Sequence, residues 1–306
     1  MSEQKLQSQT VQTTGHAWDG DLQEYNNPLP VWWVYTFYVT VVFAIVYWTI
    51  YPSWPFGKGW IGGLSDITYV NSAGETKTHS WNTRALLMEN LNKAAAEQKP
   101  YFDKIQAMSY AQIAKDPDMN GFILSAGKAL FSDNCAPCHQ AGGQGKIGFF
   151  PNLTDDDWLY GGTYDKINQT ITNGRHGYMP TFGEVLAPEQ IDQLANYVAS
   201  LSGIGHDAAK AAAGNTLFHS ETAACYYCHG ADAKGRKEIG SANLTDNIWL
   251  WANVPGAATA EGKVAAIRGV ITSGLNKGVM PTWGGRLSPE QIKVLTVYVH
   301  ELGGGQ

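Results

Sequence analysis

Two short stretches, Cys135-Ala136-Pro137-Cys138-His139 and Cys225-Tyr226-Tyr227-Cys228-His229, constrain this chain more than anything else in it. Each reads C-x-x-C-H, the attachment signal of a c-type haem. Two thiols on one helical turn add to the two vinyl groups of the porphyrin, and the histidine that follows lies under the iron as proximal ligand. The chain has four cysteines, and these motifs use all of them, so none remains for a disulfide. The competing reading is a zinc site built from two C-x-x-C pairs. The 86 residues between the pairs far exceed the ~15–20 of such sites, and a histidine directly follows each pair. Two covalently attached haem c groups are therefore expected.

The second constraint is an internal repeat that begins near residue 118. Gly127, Leu130 and Phe131 before the first motif answer to Gly214, Leu217 and Phe218 before the second. Asn152-Leu153-Thr154-Asp155 with Trp158-Leu159 answers to Asn243-Leu244-Thr245-Asp246 with Trp249-Leu250. Met179-Pro180-Thr181-Phe182-Gly183 answers to Met280-Pro281-Thr282-Trp283-Gly284, and Pro188-Glu189-Gln190-Ile191 to Pro289-Glu290-Gln291-Ile292. The second copy carries about ten extra residues, Ala252 to Gly262. The expected architecture is mainly α: one N-terminal transmembrane helix followed by two tandem cytochrome c domains, 118–205 and 206–306. The 34 Gly and 13 Pro suit small domains that wrap a cofactor in loops.

Val31 to Tyr51 contains no charged residue. As a helix it spans ~30 Å, enough for a bilayer core. Trp32, Trp33 and Tyr35 at one end, and Tyr47, Trp48, Tyr51 and Trp54 at the other, form aromatic belts. A cleaved signal peptide starts earlier, behind a basic leader, and ends at a small-residue site. A buried core helix would not be apolar on every face. Lys5 and Lys58 are too few to orient the helix by charge. Haem attachment decides instead: it occurs on the outer, oxidising side of the membrane, which places the haem domains outside and the tail 1–30 in the cytoplasm. That tail is either a floppy terminus or a segment that docks on a partner. Residues 52–117 read as a connector, mostly loop as far as Ser80, with a helix from Trp81 to Gln98 ending before Pro100. Ser109-Tyr110-Ala111-Gln112 fits a capping box. The formal charge of −6 suggests no nucleic-acid partner.

Each iron needs a sixth ligand. Met179 and Met280 fill the same slot in both repeats, each followed by proline, which stiffens the loop presenting it. A thioether favours ferrous iron and raises the potential, as electron transfer requires. The expected cofactor-binding residues are Cys135, Cys138, His139, Cys225, Cys228, His229, Met179 and Met280. The iron ligands among them are His139, Met179, His229 and Met280. His176 is a rival to Met179, but the second copy has Asn276 and Lys277 there. His79, His206, His219 and His300 lack counterparts and read as surface histidines. In small c-type cytochromes a proline carbonyl shortly after the motif accepts the proximal histidine's other N–H; Pro151 fits that place in the first copy, and the second copy has Ala242 there, whose carbonyl would serve from a less rigid loop. Met179 lies 40 residues after His139, and Met280 lies 51 after His229. Those spacings favour each methionine serving its own domain.

The order of His16-Ala17-Trp18-Asp19-Gly20-Asp21-Leu22, Tyr25-Asn26-Asn27-Pro28-Leu29-Pro30, Trp32-Trp33, a membrane helix and two cytochrome c modules resembles the dihaem c-type subunit, CcoP or FixP, of the cbb(3)-type cytochrome c oxidases. The likeness covers nearly the whole chain. It implies an electron-transfer subunit of a proton-pumping haem–copper oxidase in a bacterial inner membrane, with no oxygen-reducing site of its own. Implied partners are a catalytic haem b/copper subunit, a monohaem cytochrome c subunit, a cytochrome c electron donor and membrane lipid. Family descriptions also include an exchanged pairing, with the first domain's methionine on the second haem. Many relatives carry a further, more N-terminal membrane helix, for which residues 1–30 are too polar. Two other classes compete: a membrane-tethered dihaem carrier outside any oxidase, and a dihaem peroxidase, which needs a vacant iron site.

Overall fold

In the computed structural model, which describes residues 12–303, Thr13–Trp18 (β1) pairs antiparallel with Leu22–Tyr25 (β2). Asp19 and Gly20 turn at φ 51° and 90°, the handedness that closes a tight hairpin. The polar tail thus contains a hairpin whose strand residues are all exposed; the part of it before residue 12 lies outside the described residues.

Val31–Ile50 forms α1, long and apolar enough to cross a membrane, with no buried residue. Its few polar side chains turn inward on the backbone: Thr36, Thr40 and Thr49 donate to the carbonyls of Trp32, Phe37 and Ile45 at 2.9, 2.7 and 2.9 Å. Such internal satisfaction is what a lipid-facing helix requires. The amides of Leu64 and Ser65 cap its last carbonyls, both reaching Ile50 O. The connector is less loop-like than expected. Pro55–Phe56 (β3) pairs with Gly59–Trp60 (β4), and Asp66–Val70 (β5) with Thr76–Ser80 (β6). The Asn71 side chain closes the second hairpin by accepting the amides of Ala73 and Glu75.

Helix α2, Thr83–Ala107, runs through Pro100 instead of ending before it. Burial of Ile105 and packing of Phe102 hold the continuation in place, so packing overrides the proline stop. The boundary between the chain's two compact units, at Glu97–Gln98, falls within this helix. Ser109 and Gln112 make the expected capping box ahead of Tyr110–Ile113 (α3).

The unit from Gln98 onward holds two cores built on the repeat. Their helices are Pro117–Asn134 (α4), Ala136–His139 (α5), Tyr164–Asn173 (α6), Pro188–Leu201 (α7), Ala208–Phe218 (α8), Cys225–His229 (α9), Ala260–Ser273 (α10) and Pro289–His300 (α11). Arg175–Met179 (β7) and Leu275–Met280 (β8) cross as an antiparallel ribbon. Beyond this crossing the repeats trade their closing halves. Helix α7 packs on α8 and α10, while α11 packs on α4 and α6. One core therefore joins Ile123, Phe131, Ile167 and Ile171 to Ile292, Leu295 and Val299. The other joins Ile191, Leu194 and Val198 to Phe218, Val264 and Ile267. The consecutive ranges 118–205 and 206–306 do not follow these cores: the second core lies within one stretch, about 179–274, and the first uses the chain on both sides of it.

Spacing missed this because it treats α7 and α11 as equivalent, and they are not. Asp192 on α7 pairs with Lys210 at 2.6 Å and with Arg268. Its counterpart on α11 is Lys293, whose Nζ donates to Gln106 O at 3.1 Å and to Met108 O. Exchanging the helices would set a lysine against two cations and a carboxylate against two carbonyl oxygens. It would also put Gln193 and Asn196 where Val294 and Val297, 0 % and 2 % exposed, now sit. Each amide buried without a partner costs ~1–3 kcal/mol. The short link from Leu201 to Ala208 also suits a helical hairpin, so α7 meets α8 with little loop to order.

Candidate haem sites

Each C-x-x-C-H stretch forms a short helix that follows a longer one closely. Gly127 on α4 and Gly214 on α8 let the closing helices approach. A Cβ on Gly127 would lie 2.7 Å from Tyr298 Cβ, and one on Gly214 would lie 2.1 Å from Gln193 O. After each motif the chain loops back beneath the histidine. His139 Nδ1 lies 3.1 Å from Pro151 O, and His229 Nδ1 lies 2.9 Å from Ala242 O. With Nδ1–H donating to the carbonyl, Nε2 is left free to ligate iron. Burial lowers both imidazole pKa values, favouring the neutral, ligating form. The approach depends on Gly145 and Gly235, both at positive φ, where a Cβ would lie 2.4 Å from Pro151 O and 2.3 Å from Ser241 O. Asn152 and Asn243 brace the same loops by accepting from Thr154 and Thr245.

A cavity of ≈ 530 Å³ opens above the first motif. Cys135, Cys138, His139, Trp158 and Ile171 line it together with Met280 and Trp283 of the second repeat. Met179 instead packs in the second core with Phe182, Cys225 and Tyr226. The structure therefore groups Met280 with His139, and Met179 with the second motif, the reverse of the pairing favoured by spacing. The Met-Pro-Thr-aromatic-Gly repeat explains how. Thr181 and Thr282 donate to the carbonyls of Thr272 and Thr172 at 2.7 and 2.6 Å, each latching onto the other repeat's helix end. The amides of Gly183 and Gly284 reach the same carbonyls.

His176 alternates with Met179 along β7 and lies on the ribbon's exposed side, 3.0 Å from Asn276 Oδ1, so it does not reach the site. The zinc reading fails on placement, since Cys135 and Cys225 belong to different cores. Burial also pushes both thiols up to about 11, away from the thiolate that zinc needs. The haem reading fits the residues present. The cavity is ringed by apolar and aromatic side chains, and Trp158 Nε1 is buried in its wall without a protein partner, where a porphyrin carboxylate would supply the acceptor.

Sequence reasoning missed Asp157 in the same wall. Burial pushes its carboxyl up to about 6, helped by Asp246 and Asp155 and opposed by Lys237. Between about pH 4 and pH 6 the folded state then binds the extra proton, so this group's contribution to stability falls as pH rises. Asp157→Asn is expected to add about 1–2 kcal/mol at pH 7, after allowance for partial exposure, and nothing below pH 4. Thermal unfolding across that range checks this; equal midpoints for both proteins at pH 7 would refute it.

Two family models match the chain. The N-terminal domain of cytochrome oxidase-cbb3, FixP, covers residues 10–58, and cytochrome C oxidase, cbb3-type, subunit III covers 123–198 and 209–299. Among curated proteins the chain is similar to the cbb3-type cytochrome c oxidase subunit FixP of Azorhizobium caulinodans, 44 % identical over 96 % of this chain and 94 % of that one. The FixP subunit of Bradyrhizobium diazoefficiens is 43 % identical over 96 % and 95 %. The CcoP subunit of Cereibacter sphaeroides is 39 % identical over 96 % and 95 %.

Proposed function

This chain belongs to the family of subunit III of the cbb3-type cytochrome c oxidases, and from that premise we propose which residues carry its electrons and where it works. It is a dihaem electron-transfer subunit of the oxidase, holding two covalent haem c groups. When bound, each haem would supply one-electron chemistry, ferric to ferrous and back.

In our reading Cys135 and Cys138 would anchor the first haem, with His139 and Met280 as its iron ligands. Cys225 and Cys228 anchor the second, with His229 and Met179. The observation that carries this is the single cavity shared by Cys135, Cys138, His139 and Met280. The carbonyls of Pro151 and Ala242 hold the imidazoles in one tautomer and orientation. The latched Thr181 and Thr282 hold the thioether loops, so neither ligand set must reorganise when the charge changes. A filled sixth position speaks for electron transfer over peroxidase chemistry.

The chain assembles with other oxidase subunits. In the finer reading these are a catalytic haem b/copper subunit and a monohaem cytochrome c subunit, and a cytochrome c donates the electrons. Helix α1 would lie in the bacterial inner membrane, with the N-terminus cytoplasmic and both haem cores periplasmic, because c-type attachment occurs there.

Deleting residues 1–51 is expected to release a soluble protein that keeps both haems, shows the weak far-red absorption of iron–thioether bonds and no longer co-purifies with the oxidase. A truncated protein that still co-purifies, or a full-length one that never does so with a copper-containing haem b protein, would contradict this reading.

A further inference from the structure

One side chain belongs to both haem sites. Trp249 is partly buried and packs against the second core, as do Cys225, Leu244 and Met179. It also lines the first cavity, with Cys135, His139 and Met280. Its counterpart Trp158 belongs to the first core and the first cavity. The repeat therefore places Trp158 in one core and its cavity, and Trp249 against the second core while it lines the first cavity.

The backbone around Trp249 is fixed from both directions. The loop that leads to it begins at Ala242, whose carbonyl holds His229. Leu244 N bonds Ala233 O at 2.8 Å, and Asp246 Oδ1 accepts Ile248 N at 3.0 Å. One residue past Trp249, Leu250 O accepts Gly148 N of the first repeat at 2.6 Å. The backbone that carries Trp249 is thus tied to the second proximal loop on one side and to the first repeat's loop at Gly148 on the other.

We infer that Trp249 is the packed bridge through which an electron passes between the two haems. This rests on the electron-transfer reading above and adds the route. Ferrous iron at one site loses an electron and ferric iron at the other gains it; no bond forms or breaks, and the indole is neither oxidised nor reduced. Electronic coupling decays faster across a gap than through close-packed atoms, and the half-buried Trp249 ring packs densely on the core side. Tyr160 is the competing route: it lines the first cavity and touches the second repeat, where a Cβ on Gly240 would lie 2.2 Å from Tyr160 Cζ.

The test uses the full-length protein with both haems. One electron is injected by flash photoreduction, and its redistribution between the haems is followed while both midpoint potentials are measured separately. Trp249→Leu should slow the exchange several-fold with both potentials and the far-red bands unchanged, and Trp249→Phe should fall between it and the unaltered protein. If Trp249→Leu does not retain both haems, Trp249→Phe decides: slower exchange supports the bridge, and an unchanged rate overturns it. An unchanged rate in Trp249→Leu overturns it as well, as does slowing by Tyr160→Leu alone, or slowing that tracks a shift in potential. No exchange in the unaltered protein would instead sink the electron-transfer reading, and the bridge with it.

Discussion

Residues 176–279, produced alone with haem attached at Cys225 and Cys228, are expected to give low-spin iron with histidine and methionine ligands; residues 118–205 alone are expected to give high-spin iron. The longer stretch contains everything the second core uses: Met179, α7, α8, the motif and α10. The shorter one lacks α11. That helix contributes Ile292, Val294, Leu295, Val297 and Val299 to the first core, all buried. At ~1.5–3 kcal/mol for each buried side chain, their loss is of order 10 kcal/mol, comparable to the whole stability of a small domain. Helix α7 is present in the fragment but makes a poor substitute, because Asp192, Gln193 and Asn196 would occupy the places of Lys293, Val294 and Val297. Visible and far-red spectra distinguish the outcomes. A low-spin 118–205 fragment bearing the far-red band would show that each repeat serves itself.

Gly174→Ala is expected to disturb the haem on Cys135 and Cys138, and Gly274→Ala the haem on Cys225 and Cys228. Gly174 ends α6 at φ 69°, and a Cβ there would lie 2.3 Å from Met280 O. Gly274 ends α10 at φ 63°, with Met179 O 2.6 Å from the same point. Left-handed backbone costs a non-glycine residue ~1–2 kcal/mol, and the forced shift ~1–3 kcal/mol more. The atom that must yield is the carbonyl of the ligand residue, so the thioether moves with it. Each variant should therefore lose one far-red band and keep the other. The pattern depends on the exchanged arrangement: if Gly174→Ala disturbs only the haem on Cys225 and Cys228, the assignment of methionines is reversed.

How far the residues alone reach differs from element to element. The C-x-x-C-H motifs, the paired Met-Pro loops and the apolar run of α1 are local signals set by chemistry or by a run of composition, and each stands out without neighbours. Pro151 was legible from the pattern of small c-type cytochromes, and the carbonyl of Ala242, a weaker expectation there, makes the same bond. The hairpins at 13–25 and 55–80 were hidden, since polar strands with exposed faces carry little alternation to read. The continuation of α2 past Pro100 depends on a buried Ile105 that becomes visible only when the core is assembled. The exchange entered only through the family resemblance, for a different reason. A repeat tells which segments are alike, whereas partner choice lies in where they differ, and the charge reversal between Asp192 and Lys293 is the clearest such difference. Read against their buried neighbours, those two positions would have favoured the exchanged pairing.

The crossing at β7 and β8 also sets a timetable. A ribosome makes the chain from its N-terminus, so the first C-x-x-C-H motif is synthesised well before the second. Yet Met280 and α11, which line the first cavity and fill the first core, follow α10, whereas every helix of the second core is complete by Ser273. The site that begins first therefore finishes last. Until the residues after Ser273 have been made, the cavity at the first motif lacks Met280, and the first core lacks its closing helix. Premature termination between α10 and α11 is expected to yield a protein with a closed second core and an open first one.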